Sequence, residues 1–245
     1  MLSKTKVKYI QSLSHKKLRD ELHLFVAEGP KVVEELLRSR KFNCEILCAV
    51  KGWLEQQDST VTGNIGEFNE IEMYELEKIS SLSNPHTVLG VFSQKEAMEI
   101  SLKNKISLIL DGIRDPGNMG TIIRTADWFG INTIICSEDC VDCYNSKVVQ
   151  ATMGSLGVVN MVYQNPEKII LEHPDINVYA TTLSGVNVFS IGKITEGLVI
   201  LGNEGSGIRA ELLLLANQNV TIPKIGKAES LNAAVACGII LSALL

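Results

Sequence analysis

From Lys105 onward the chain alternates short apolar runs rich in Ile and Val with stretches whose apolar residues recur at helical spacing. ISLILD, NTIICS, INVYATTL, GLVILGN and VTIP read as strands, and MGTIIRTADWF, KVVQATMGSLG, IRAELLLLA and SLNAAVACGIILSALL read as helices. Runs this uniformly apolar suit strands covered on both faces. The order predicts an α/β domain whose mostly parallel sheet is covered by helices. Ligands of such sheets sit beyond the carboxyl ends of the strands, so chemistry is expected in the loops after ISLILD, ATTL, LVILG and VTIP.

The first third carries shorter elements. A basic helix is expected from Lys6 to Leu22, a strand from Leu24 to Ala27, a helix opened by Gly29-Pro30 and running to about Arg38, and a strand through CEILCAV. Proline suits the first turn of that second helix, where its missing N–H is not needed. After a polar middle, IEMYELEKISSL reads as helix and TVLGVFSQ as a closing strand. SQKEAMEISLKNK is polar and lacks strand character, which places a linker at 96–105 between a domain of residues 1–95 and one of residues 106–245. No internal repeat or low-complexity segment interrupts this plan.

Composition narrows the class. With 245 residues, 45% of them hydrophobic, the chain can bury two cores. Its longest near-apolar stretch, Ala233 to Leu245, is shorter than the roughly 20 residues of a membrane span, so a soluble cytoplasmic protein without membrane contact is expected. The six cysteines include one metal-like spacing, Cys140-x-x-Cys143, but no second pair completes four ligands, and no metal is expected. The net charge of −5 conceals a basic start: Lys4, Lys6, Lys8, Lys16, Lys17 and Arg19 occur before any acidic residue. Such an arm neutralises phosphates, although a solvated helical face would look the same.

Three loops hold the candidate chemistry. In DPGNMGTIIRTADWFG, Asn118 is a candidate helix cap, and Met119, Ile122, Ile123, Ala126 and Phe129 form an apolar face that Arg124 avoids. Gly120, four residues earlier, leaves the guanidinium over bare backbone near the helix start, which suits an anion. A surface pair with Asp127, contributing about 0.2–0.5 kcal/mol, is the alternative. In LGNEGSGIRAELL the glycines permit close backbone approach, and a helix is expected to begin near Ser206 or Gly207. A turn needs no carboxylate at Glu204, so either a ligand or simple exposure explains it. In IPKIGKAESLNAAVACG, Ser230 occupies an N-cap position while Asn232 lies inside an apolar helix. None of these loops has the spacing of a dinucleotide or Walker motif.

Together, DPGNMGTIIRTA, LGNEGSG and IPKIGKAESLN resemble the three ordered motifs of the SpoU/TrmH family of RNA 2′-O-ribose methyltransferases in the SPOUT superfamily. KKLRDELHLFVAEGPKVVEELL resembles the L30e-like substrate-binding domain that precedes many of them. The resemblance implies a deep trefoil knot in the C-terminal domain, with Ala233, Ala234, Ala236 and Gly238 small enough to permit the passage. It further implies a homodimer formed through that domain, S-adenosylmethionine as cofactor, and RNA as substrate, with ribosomal RNA ranked ahead of transfer RNA. Carried over by motif, Gly202, Ile222 and Leu231 contact the cofactor, with Leu201 and Asn203 beside them and Thr181 and Leu183 added by position. Asn118, Arg124, Glu204, Ser230 and Asn232 surround the accepting ribose, and Lys16, Lys17 and Arg19 join Arg124 as RNA contacts.

A guanidinium is a poor base, so Arg124 is expected to clamp the neighbouring phosphate, leaving the proton to that phosphate, to water or to Glu204. A catalytically inactive RNA-binding protein of the same fold is the main alternative. A nucleotide-dependent oxidoreductase would need the missing G-x-G-x-x-G turn.

Overall fold

The computed structural model describes residues 1–58, 61, 65–95 and 100–245. Of the linker expected at 96–105, residues 96–99 lie outside the described residues. The chain forms two compact units, Met1–Glu96 with Asp142–Val158, and Ala97–Val141 with Val159–Leu245.

The first unit is built from α1 (Lys4–Ser12), α2 (Lys16–Leu22), β1 (Leu24–Glu28), α3 (Pro30–Ser39), β2 (Cys44–Val50), β3 (Ile65–Ile71), α4 (Met73–Ile79) and β4 (Val88–Ser93). Its sheet runs β1-β4-β2-β3, antiparallel except for the β2–β3 pair. The single basic helix expected from Lys6 to Leu22 is two. Leu13 turns into the core between them, while the Ser12 and Ser14 hydroxyls donate to carbonyls three residues back, a local alternative to the helix ladder. β3 has no counterpart in the sequence reading. It is a polar edge strand, mostly exposed, so it lacks the alternation that marks a half-buried strand.

The segment Asp142–Val158 departs from a division at one linker. Its helix α6 (Ser146–Thr152) packs against β1, and the Tyr144 ring lies 4.8 Å from that of Phe25 in a cluster with Phe42. Asp142 supplies its carboxylate to Arg19, and Gly154 passes so close to Glu35 that a Cβ there would lie 2.3 Å from the glutamate's own.

The second unit contains β5 (Ile106–Asp111), α5 (Pro116–Trp128), β6 (Thr133–Cys136), β7 (Asn160–Tyr163), α7 (Pro166–Glu172), β8 (Val178–Asn187), β9 (Gly197–Gly202), α8 (Ala210–Leu215), β10 (Gln218–Thr221) and α9 (Ala233–Leu244). Its six strands are all parallel in the order β10-β8-β9-β5-β6-β7. β7 and α7 are short and escaped the sequence reading. The chain moves outward from β5 through β6 to β7, and β9, on the other side of β5, belongs to the half containing β8 and β10. The loops leaving β5 and β9 therefore diverge at a topological switch point. Ile109, Ile135, Val178, Ala180, Leu198 and Ile200 form one buried cluster on this sheet, and α9 packs against α5. Among the described residues no helix is long and apolar enough to cross a membrane.

Candidate active site

The loop from β5 enters α5 through Asp115, whose carboxylate accepts the Asn118 N–H at 2.8 Å, and Pro116 opens the helix. The cap is thus Asp115 and not Asn118, and this releases the Asn118 side chain. Its Nδ2 donates to Glu204 Oε1, and its Oδ1 accepts the Asn232 Nδ2 at 2.8 Å. The third loop reverses expectation in the same way. Asn232 caps α9, its Oδ1 accepting the N–H groups of Ala234 and Val235 at 3.0 and 3.2 Å, whereas Ser230 is exposed and makes no hydrogen bond among the described residues. The polar residue that seemed out of place in an apolar helix is its first boundary. One asparagine from the first loop thereby joins a carboxylate from the second to an amide from the third, linking positions 86 and 114 residues away.

Arg124 sits two turns beyond Asn118's end of α5, exposed, with neither an ion pair nor a hydrogen bond among the described residues. No pair with Asp127 forms. The helix start lies about 12 Å away at 1.5 Å per residue, so the guanidinium is not held by the helix N-terminus. Met119, Ile122, Ile123 and Ala126 are buried as the face requires, and Phe129, half-buried, follows as the C-cap.

The turn bearing Glu204 is stapled from within. Asn203 Oδ1 accepts the N–H groups of Gly205 and Ser206, its Nδ2 donates to Gly112 O at 2.8 Å, and its backbone pairs with Gly207. Gly202 is obligatory, because a Cβ would lie 2.4 Å from Gly207 C. These bonds consume Ser206 and Gly207, so the helix expected there begins at Ala210. They also occupy the Asn203 side chain, and Leu201 is a core residue at 2% exposure, so both can offer a ligand little but backbone.

A second set of residues supports this turn, none of which the sequence reading singled out. Asp111, buried at the end of β5, accepts the Arg209 N–H at 2.7 Å and its Nε at 2.5 Å. Arg209 Nη2 and Arg114 Nη2 donate to the two oxygens of Asp139 at 2.9 and 3.0 Å. The Ser137 hydroxyl, then these arginines, hold the Asp139 carboxyl below its usual range, and the Asp111 carboxylate raises Arg209. A charged residue ending an apolar strand, as in ISLILD, was the available signal for Asp111.

Nearby, hydrogen bonds led by the Cys136 thiol bring Cys140 down to about 7, whereas burial pushes Cys44, Cys48 and Cys237 up to about 12. Cys140 and Cys143 fall in different units. The described residues contain no group of three or more His, Cys, Asp or Glu able to hold a metal.

The remaining candidates lie on β8, just after β10 and just before α9. The β8–β10 ladder jumps from the pair Asn219–Ala180 to the pair Val220–Val186, so residues 181–185 loop out of it. Thr181 Oγ1 donates to Ile200 O at 2.8 Å, Leu183 is 78% exposed, Leu231 is exposed and Ile222 half-buried. In the first unit the basic residues diverge. Lys16 pairs on the surface with Asp20 and Lys17 is exposed, but Arg19 is 3% exposed. Its Nη2 lies 2.6 Å from Asp142 Oδ2, and its Nη1 donates to the carbonyls of Leu13 and Ser14, so Arg19 is a packing residue and not a phosphate ligand.

Comparison with known proteins agrees with this geometry. Residues 105–242 match the model of the SpoU rRNA Methylase family and residues 4–90 that of the MRM3-like substrate binding domain. The chain is 32% identical over 243 residues, 96% of its length and 94% of the relative's, to the 23S rRNA (guanosine(2553)-2'-O)-methyltransferase of Bacillus subtilis. A TrmH-family structure from Porphyromonas gingivalis superposes with a TM-score of 0.89 at 34% identity, covering 99% of this chain and 97% of that one. An AdoMet-bound rRNA methyltransferase from Sinorhizobium meliloti gives 0.87 at 34%, covering 98% and 94%. An asparagine bridge between three distant loops at the ends of parallel strands, in a chain that matches over nearly its whole length, leads to one assignment: the protein belongs to the SpoU rRNA methylase family.

Proposed function

We propose that the protein transfers a methyl group from S-adenosylmethionine to a ribose 2′-hydroxyl of ribosomal RNA. The observation that carries the reading is the hydrogen-bonded cluster of Asn118, Glu204 and Asn232, whose Asn118 lies on the same helix as Arg124, a side chain with no partner among the described residues.

The chain offers a suitable cradle for the cofactor. Residues 181–185 leave the ladder, Gly185 passes too near Asn219 to carry a side chain, and Leu183, Ile225 and Leu231 are exposed apolar residues. Gly202, Ile222, Leu231, Thr181 and Leu183 would hold it there, with the backbone of Leu201 and Asn203. The bound cofactor supplies an electrophilic methyl group, and what remains for the protein is alignment and charge. Asn118 fixes Glu204 toward the accepting ribose, with Asn232 fixing Asn118 in turn. Arg124, its donors uncommitted, clamps the adjoining phosphate and stabilises charge that develops on the 2′-oxygen. Glu204 or the phosphate takes the proton.

Residues 1–95 are read as an RNA-holding domain, supported by exposed Lys16 and Lys17 and by the substrate-binding family match. The C-terminal helix is read as threaded to form a knot and as part of a homodimer contact. The small residues Ala233, Ala234, Ala236 and Gly238 on α9, which packs against α5, and the exposed Val235 support that reading. A cytoplasmic location fits this chemistry. The test is tritiated methyl transfer from S-adenosylmethionine to ribosomal RNA from cells lacking the gene, with calorimetric titration of the cofactor. Label recovered as a 2′-O-methylnucleoside is expected; cofactor binding without transfer would return the inactive RNA-binding alternative.

A further inference from the structure

Beside the polar cluster lies a cleft that the reaction above does not use. It encloses about 240 Å³ at the switch point between β5 and β9 and is lined by Gly112, Arg114, Asp139, Ser206, Gly207 and Arg209, with Asp111 and Asn203 at its wall. Asn203 and Ser206 face it, while Glu204, between them in sequence, reaches Asn118. The turn is therefore shared, its carboxylate serving one site and its flanks the other.

The two arginines are not equivalent. Arg209 staples the turn to β5 through two bonds to buried Asp111. Among the described residues the Arg114 side chain makes one hydrogen bond, from Nη2 to Asp139, and it is 71% exposed. Its link to the turn is indirect, through Asp139, which Arg209 also holds. A guanidinium steadied by one carboxylate, with its remaining N–H groups turned to solvent beside a serine hydroxyl and glycine backbone, is a preorganised receptor for a tetrahedral anion. Gly112 and Gly207, at φ of +69° and +71°, line the cleft without side chains that would keep a backbone phosphate away. We propose that this cleft binds a phosphodiester of the substrate RNA flanking the methylated nucleotide, with Arg114 as its donor, distinct from the phosphate assigned to Arg124. The inference rests on the methyltransferase reading and extends its RNA track past the accepting ribose.

The test is the salt dependence of binding of a short fluorescein-labelled oligoribonucleotide of mixed sequence, followed by anisotropy, for the full chain and for Arg114→Ala and Arg114→Gln. Losing one phosphate contact should make the plot of log K against log salt shallower by about 0.7 and weaken low-salt binding about threefold to tenfold. The melting temperature and the S-adenosylmethionine titration should not move. Arg114→Lys, which keeps the charge, should restore the slope. Unchanged affinity and slope in both neutral variants would overturn the proposal, as would weaker binding with an unchanged slope, since the lost contact would then not be to phosphate. Wild-type protein that binds no oligoribonucleotide would instead sink the methyltransferase reading itself.

Discussion

Arg19 and Arg124 look alike in sequence, each a cation on a helix assigned to RNA, and the fold gives them opposite lives. Arg19 on α2 is enclosed, its Nε and Nη2 on Asp142 and its Nη1 on two carbonyls; Arg124 on α5 is exposed, its side-chain donors without a partner among the described residues. The difference lies in what the chain delivers to each. Asp142 is 123 residues away and arrives with a segment that joins the first unit from between β6 and β7. An arginine whose partners are already in place holds a structure together, and one left without partners is available to a substrate.

That contrast can be broken by mutation. The largest effect expected is Arg124→Ala, which should lower methyl transfer by about 10²–10³, the scale for losing one preorganised charge-stabilising donor, with melting and cofactor binding unchanged. Arg19→Ala should do the reverse. It strands a buried carboxylate and two carbonyls, so denaturant titration should report a loss of about 3–5 kcal/mol, while any residual folded protein methylates normally. Equal stability in this variant would show that the Asp142 contact does not form.

A smaller effect separates the two neighbours at the start of α5. Asp115→Ala removes the cap and should cost about 0.5–2 kcal/mol by thermal unfolding, whereas Asn118→Ala should cost activity without that capping loss. The smallest effect concerns the thiols. Alkylation of Cys140 by iodoacetamide should rise as pH passes through about 7, since the thiolate and not the thiol reacts; Cys44, Cys48 and Cys237, held up at about 12, should stay protected in the folded protein at pH 8. Mass spectrometry of the labelled peptides would order them.

Much of the second unit was legible because ISLILD and the GLVIL run are buried throughout and advertise it, and because the buried face of α5 repeats at helical spacing. The converging loops were legible only through their joint resemblance to a family. What escaped depended on partners remote in sequence. Capping could not be assigned between Asp115 and Asn118, or between Ser230 and Asn232, because each residue type can cap and only the geometry shows which side chain is spent. β3 escaped because an exposed polar edge strand needs no apolar face. The network of Asp111, Arg114, Asp139 and Arg209 escaped because its members lie up to 98 residues apart.

The central claim, that loops distant in sequence act as one site, is tested most directly by a double-mutant cycle on single-turnover methyl transfer with saturating S-adenosylmethionine, using Asn118→Ala, Glu204→Gln and both together. Residues joined by a hydrogen bond should couple, so the double variant should be scarcely slower than the slower single one. Rate losses that simply multiply, or a full rate in either single variant, would contradict it.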